Sequence, residues 1–196
     1  MSNKIYRTNL RKLVICGILA SIGIVLGRSF CTIYITESLK ITLDKVPVLL
    51  AGIWLGPLYG AAVAAVSDII GAAVLSSYGW TPLLTVSPAL MGLFSGFLHI
   101  FIINVFKKRG ISDRKPAIIA RSAITVVLTE TLTSLLLQTL FLTFLYGSTY
   151  EARLVTRLPV CAAIALAETV IISALQCSSA INASIGKFIK NEKRRS

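Results

Sequence analysis

The chain has 196 residues, of which 55% are hydrophobic and only 14% charged, and its mean hydropathy is +0.80. A soluble domain of this length needs more charge to cover its surface, so the composition excludes an ordinary water-soluble globule and indicates an integral membrane protein. The net charge of +12 does not argue for nucleic acid, because the basic residues gather in Lys4 to Lys12, in the stretch 107–115 and in the tail KNEKRRS, all flanking apolar runs. There they act as orientation signals and contacts with anionic membrane lipid.

At about 20 helical residues per crossing, hydropathy predicts one all-α domain, a compact bundle of six transmembrane helices at about 12–33, 43–56, 58–76, 84–106, 116–146 and 154–186. The first is basic and then apolar from Leu13 to Gly27. It resembles a signal peptide but lacks a small-residue cleavage site, so it is expected to stay as a span. The second is the weakest, with Lys40, Asp44 and Lys45 in its first turns. It is separated from the third only by the turn at Gly56 and Pro57.

The third span places Ala61, Ala65, Asp68 and Ala72 on one helix face, with Gly60 and Ala64 beside them. Small side chains let another backbone approach closely, so Asp68 points to a protein contact or a cavity and not to lipid. The fourth span holds the only histidine, His99, expected as a packed or capping residue. The fifth and sixth carry Glu130 and Glu168. Buried carboxylates are costly unless they face protein or a polar cavity. The three acids Asp68, Glu130 and Glu168 suit the proton relay of a stand-alone proton-coupled carrier, or are equally neutralised by hydrogen bonds from Thr125, Thr129, Thr133 and Ser173.

With six spans, both termini and the 106–116 loop share one side and the basic clusters with it, which the positive-inside rule makes cytoplasmic. Arg28, Arg153 and Arg157 then fall on the opposite side. They either reach to headgroups and pair with Glu37 and Glu151, or converge on an anionic ligand, for which the guanidinium fork is suited. The sequence contains no HExxH, GxSxG or P-loop pattern, and Cys16, Cys31, Cys161 and Cys177 have no CxxC spacing. No catalytic residue, metal site or cofactor is expected, and the chain is not read as an enzyme.

Four stretches carry a family resemblance. They are LGRSF at the end of the first span, VPVLLAGIWLGPLYGAAVAAVSDIIG, YGWTPLLTVSPALMGLFSG and FLTFLYGSTYEARLVTRLPV. In order and spacing, over about residues 10 to 175, they resemble the substrate-binding S components of energy-coupling factor (ECF) vitamin transporters, most of all the folate type. Val46 and Ala64 stand where the family pattern has Leu and Gly, and Leu83 stands for Gly within WTPLLT.

The resemblance implies a multi-pass protein of a bacterial cell membrane that captures a vitamin from outside, folate or another anionic vitamin. It would work with a transmembrane T component and two cytoplasmic ATPases. It implies a substrate site drawn from Arg28, Asp68, Tyr78, Trp80, Thr85, Arg153 and Arg157. In that site Asp68 would accept the donor edge of a pterin, Tyr78 and Trp80 would stack on rings, and the arginines would hold carboxylates. It also implies a docking face of small residues from the first and third spans, Ala20, Gly60, Ala61, Ala64 and Ala65.

Overall fold

The computed structural model describes residues 2–27, 33–36, 39–41, 43–75, 82–108, 115–147 and 149–178. Arg28, Tyr78 and Trp80 lie outside them. Among the described residues the chain is helical apart from one small ribbon. The helices are α1 (Ser2–Val25), α2 (Lys45–Leu55), α3 (Pro57–Leu75), α4 (Pro82–Lys108), α5 (Lys115–Glu130), α6 (Gln138–Tyr146) and α7 (Tyr150–Cys177). Between α5 and α6 the run continues without a break as a π-helical segment, Thr131–Leu137.

Among the described residues, three stretches are long and apolar enough to cross a membrane: Thr85–Lys108, Pro116–Leu145 and Tyr150–Cys177. Lys45–Leu55 and Pro57–Ala72 are shorter apolar helices. At 1.5 Å per residue α2 is only about 15 Å long, roughly half the hydrocarbon thickness. The first residue of α2, Lys45, therefore lies at mid-depth when the other end of the helix is at a membrane face.

Two boundaries differ from the hydropathy reading. The first helix begins ten residues earlier than expected, at Ser2, because Lys4, Arg7, Leu10, Arg11 and Lys12 are good helix formers although the stretch is too polar to count as a span. Hydropathy marks where a helix enters lipid, not where it starts. The helix also ends before residue 33, since Ile33–Thr36 and Leu39–Ile41 pair as an antiparallel two-stranded ribbon. The chain is all-α as expected, and only the end of the first span is corrected: Ile33, Tyr34, Ile35 and Thr36 are β-branched or aromatic and favour a pleated strand once the chain has left the helix. The sixth span was expected to reach 186; α7 is described to Cys177.

The bundle has two kinds of interior. On the side of α1 to α4 it is apolar and close-packed. Leu19, Ala20, Val48, Ala51, Leu55, Val63 and Ala64 form one buried cluster, and Val46, Leu49, Leu50 and Met91 join Val126 and Ile172 in a second. Gly56 turns the chain between α2 and α3 with φ 108°, a conformation open to glycine, and Pro57 starts α3 where its missing N–H costs nothing. At the end where Lys107 and Lys108 close α4, the Lys12 ammonium sits 5.4 Å from the centre of the Tyr59 ring.

The tightest feature is the crossing of α3 with α4. A Cβ on Gly92 would fall 2.2 Å from the Gly60 carbonyl oxygen, and one on Gly60 would fall 2.4 Å from the Gly92 oxygen. The two backbones touch, and any side chain at either position forces them apart. Gly92→Ala is expected to destabilise the detergent-solubilised protein by about 1–3 kcal/mol or more, measured by thermal unfolding. Gly17→Ala, with nothing within 4 Å of its Cβ, serves as the tolerated control. Equal melting temperatures for the two variants would show that the crossing is not the constraint described.

Candidate functional site

On the side of α5 to α7 the interior is polar. Position 157 of α7 is followed on the same helix face by 161 and 168, since 4 and 11 residues are close to whole turns. These positions are Arg157, Cys161 and Glu168. With Gln176 further along α7, they meet Ser122, Glu130 and Gln138 on the helical run opposite. The contacts along this seam are ordered. Near one end the Ser122 hydroxyl donates to Gln176 Oε1 at 2.9 Å. Near the other, Arg157 Nη2 donates to Gln138 Oε1 at 3.1 Å.

Between them stands an ion pair. Lys45 Nζ donates to both Glu130 carboxylate oxygens, at 3.0 and 3.3 Å, and contacts the Ser134 hydroxyl. Glu130 is 2% exposed, so the pair is held away from solvent, where an ammonium and a carboxylate attract strongly but each costs several kcal/mol to desolvate. Glu168 lies within electrostatic reach of Glu130 and Lys45 and is fully buried. Its carboxyl group interacts with that of Glu130, while no nitrogen or hydroxyl donor among the described residues reaches its oxygens. Two carboxyl groups thus lie together beside one ammonium.

The threonines expected to neutralise the acids do something else. Thr125, Thr129 and Thr133 donate to the carbonyls of Arg121, Thr125 and Thr129, four residues back. That leaves their hydroxyls tied to their own helix. Ser173 Oγ has no partner among the described residues. The neutralising group for Glu130 is Lys45, which sequence reasoning had treated only as an interruption of a weak span. The signal was available: a lysine at the start of a helix too short to reach both faces is at the depth of mid-span acids.

His99 is buried, with Nδ1 3.4 Å from the Thr125 hydroxyl, as a packed residue would be. Cys161 is buried among Lys45, Arg157, Glu130 and Glu168. No group of three or more His, Cys, Asp or Glu side chains among the described residues has the arrangement of a metal site.

The expected site residues are distributed unevenly. Arg157 is in the seam, and Arg153 is half-buried one turn before it. Thr85 is buried near the start of α4. Asp68 is half-buried on α3 with Ala61, Ala65 and Ala72, between a buried face at Gly60, Ala64 and Gly71 and an exposed face at Ala62, Val66 and Ile69. Counted from the Gly60–Gly92 crossing, Asp68 is eight residues, or about 12 Å, further along α3. The antiparallel α4 has Thr85 near that level. Asp68 is not among the charges that act on Lys45 or Glu168. The structure therefore groups Glu130 with Glu168 and leaves Asp68 apart.

The small-residue set is divided as well. Ala20, Gly60 and Ala64 are buried inside the bundle, and only Ala61 and Ala65 lie at its half-exposed shoulder. Gly60 faces inward because α4 needs its missing Cβ.

The Lys45 pair makes a specific energetic prediction. Lys45→Met strands a buried carboxylate and is expected to cost about 3–5 kcal/mol in denaturant unfolding of the reconstituted protein. Adding Glu130→Gln to Lys45→Met removes that charge and should recover most of the loss. A double variant no more stable than Lys45→Met alone would mean that the pair does not carry this energy.

Comparison with known proteins agrees with this architecture. A model of the family described as "ECF transporter, substrate-specific component" matches residues 11–183. Among solved structures, one titled "Crystal structure of FolT bound with folic acid" superposes with a TM-score of 0.66 at 22% sequence identity, covering 84% of this chain and 91% of that one. No curated protein matches the sequence.

Proposed function

The chain belongs to the ECF transporter substrate-specific components, and from that premise we propose that it is the membrane-embedded subunit that binds folate, or a closely related vitamin, for an ECF-type importer. The observation that carries the reading is the family match across residues 11–183. The fold shared with a structure of FolT holding folic acid supports the choice of vitamin. The basic clusters at residues 107–115 and at both ends of the chain support, by the positive-inside rule, a topology with both termini in the cytoplasm of a bacterial cell. All six helical rods then cross or enter the membrane. The ribbon, α6 and the start of α7 face outward.

In this reading Arg28, Arg153 and Arg157 hold the ligand's carboxylates, Tyr78 and Trp80 stack on its rings, and Thr85 belongs to the same site. Asp68 stands apart from the buried carboxylates, on the shoulder of α3 that also bears Ala61 and Ala65. Its role is the polar link between the ligand half of α3 and the half that docks. Docking uses the small residues of α1 and α3. Ala61 and Ala65 supply the contact, while Ala20, Gly60 and Ala64 let the helices beneath pack closely. The partner is a transmembrane T component with two ATPases, since the sequence has no P-loop of its own.

Purified protein is expected to bind folate in calorimetry, with affinity reduced by about 10- to 100-fold in Arg28→Ala, the value of a charge-assisted contact. Vesicles containing this chain alone should show no sustained uptake. Uptake driven by a pH gradient without partner subunits would instead establish a proton-coupled carrier using Asp68, Glu130 and Glu168.

A second expectation separates docking from binding. Ala61→Trp and Ala65→Trp should keep folate affinity and abolish uptake in vesicles holding the T component and ATPases, and Asp68→Asn should keep affinity and slow uptake. Normal transport by the tryptophan variants would remove α3 from the docking surface.

A further inference from the structure

Among the described residues, Glu168 is the fully buried carboxyl group that no N–H, ammonium or hydroxyl donor reaches. The ammonium beside it is already spent. A lysine has three N–H donors, and those of Lys45 go to Glu130 Oε1, Glu130 Oε2 and the Ser134 hydroxyl. The guanidinium on the same face of α7, Arg157, binds Gln138 about three turns away.

The other charges that act on Glu168 are negative: Glu130 of α5, in contact with it, and Asp44 at the N-cap of α2. The remaining titratable group on this face of α7 is the Cys161 thiol. From α4, His99 meets Thr125 instead. From α3, Asp68 is not among the charges that reach Glu168. The stretch 131–146 opposite carries no charged side chain.

With both glutamates ionised, one ammonium would face two touching carboxylates and Asp44 besides. Two carboxyl groups that share a site do not both ionise, and a single proton relieves the pair. Lys45 decides where that proton goes. Its ammonium binds both oxygens of Glu130 and favours charge there. Glu168, which has no cation of its own, then buries a neutral polar group at a fraction of the cost of an ion.

We infer that Glu168 is held as the neutral carboxylic acid, its O–H donating to the Glu130 carboxylate, and that this proton completes a neutral staple of Lys45, Glu130 and Glu168 joining α2, α5 and α7. The proton is a resident part of the fold. It is not cargo in a relay, because Lys45 fixes its acceptor and both carboxyl groups are shut away from solvent. Its removal would set two carboxylates against one ammonium and undo the tie where α5 gives way to the π-helical segment. The inference holds whichever vitamin the protein binds.

The test is infrared spectroscopy of ligand-free, full-length protein in maltoside detergent, whose molecules carry no carbonyl. A neutral carboxylic acid has a C=O stretch that a carboxylate lacks. The parent should show that band at about pH 7, where ordinary exposed acids are ionised. Glu168→Gln should abolish the band and keep the parent's melting temperature, since its amide N–H replaces the donated proton. Glu130→Gln retains Glu168 but removes the like charge and releases Lys45 to pair with it, so the band should vanish there too. A merely packed Glu168 would not respond in that way. Asp68→Asn should leave the band in place.

A folded parent without the band overturns the inference. So does a band that survives Glu168→Gln or Glu130→Gln, or one that is lost in Asp68→Asn. If Glu168→Gln does not fold, Glu130→Gln decides alone. If neither folds, isotopically labelled glutamate in the parent decides: a shifted band upholds the neutral glutamate, and an unshifted band overturns it.

Discussion

The ion pair of Lys45 with Glu130 is the constraint on which the polar half of the structure depends. It joins the start of α2 to the middle of the longest helical run, and it does so at mid-depth because α2 has only eleven residues. Were α2 a full span, Lys45 would lie at a membrane face and would have no reason to reach inward. The short helix makes its first residue a half-buried cation that reaches inward. The cation makes a carboxylate at position 130 tolerable. Glu168 lies beside the same pair. The seam's chemistry follows from one helix length.

The two interiors obey different physics. Across Gly60 and Gly92 the contact is backbone against backbone, at distances where any added atom collides. Close-packed interfaces of this kind have one arrangement and do not deform gradually. The seam between α5, α6 and α7 is held by a handful of polar contacts, and its central stretch is a π-helix, whose wider turn commonly marks functional positions. A ligand that inserts between helices will therefore do so at the polar seam.

The sequence made the scaffold legible and the site only in part. Apolar runs of 20 residues or more are unambiguous, so the cores of α4, of the 115–146 run and of α7 were placed closely by hydropathy. The ribbon at Ile33–Thr36 and Leu39–Ile41 was missed because an apolar, β-branched tetrapeptide after a helix looks like more helix. The π segment has no sequence signal at all, since its register depends on what α7 presents opposite it. Glu130 and Glu168 were recognisable as costly from their depth alone. The ammonium that pairs with Glu130 was not, because depth along each helix gives no rotation or neighbour across the bundle. Lys45 and Asp68 show the two sides of that gap. Each is a charge in an apolar stretch, yet only Lys45 is brought to the other acids.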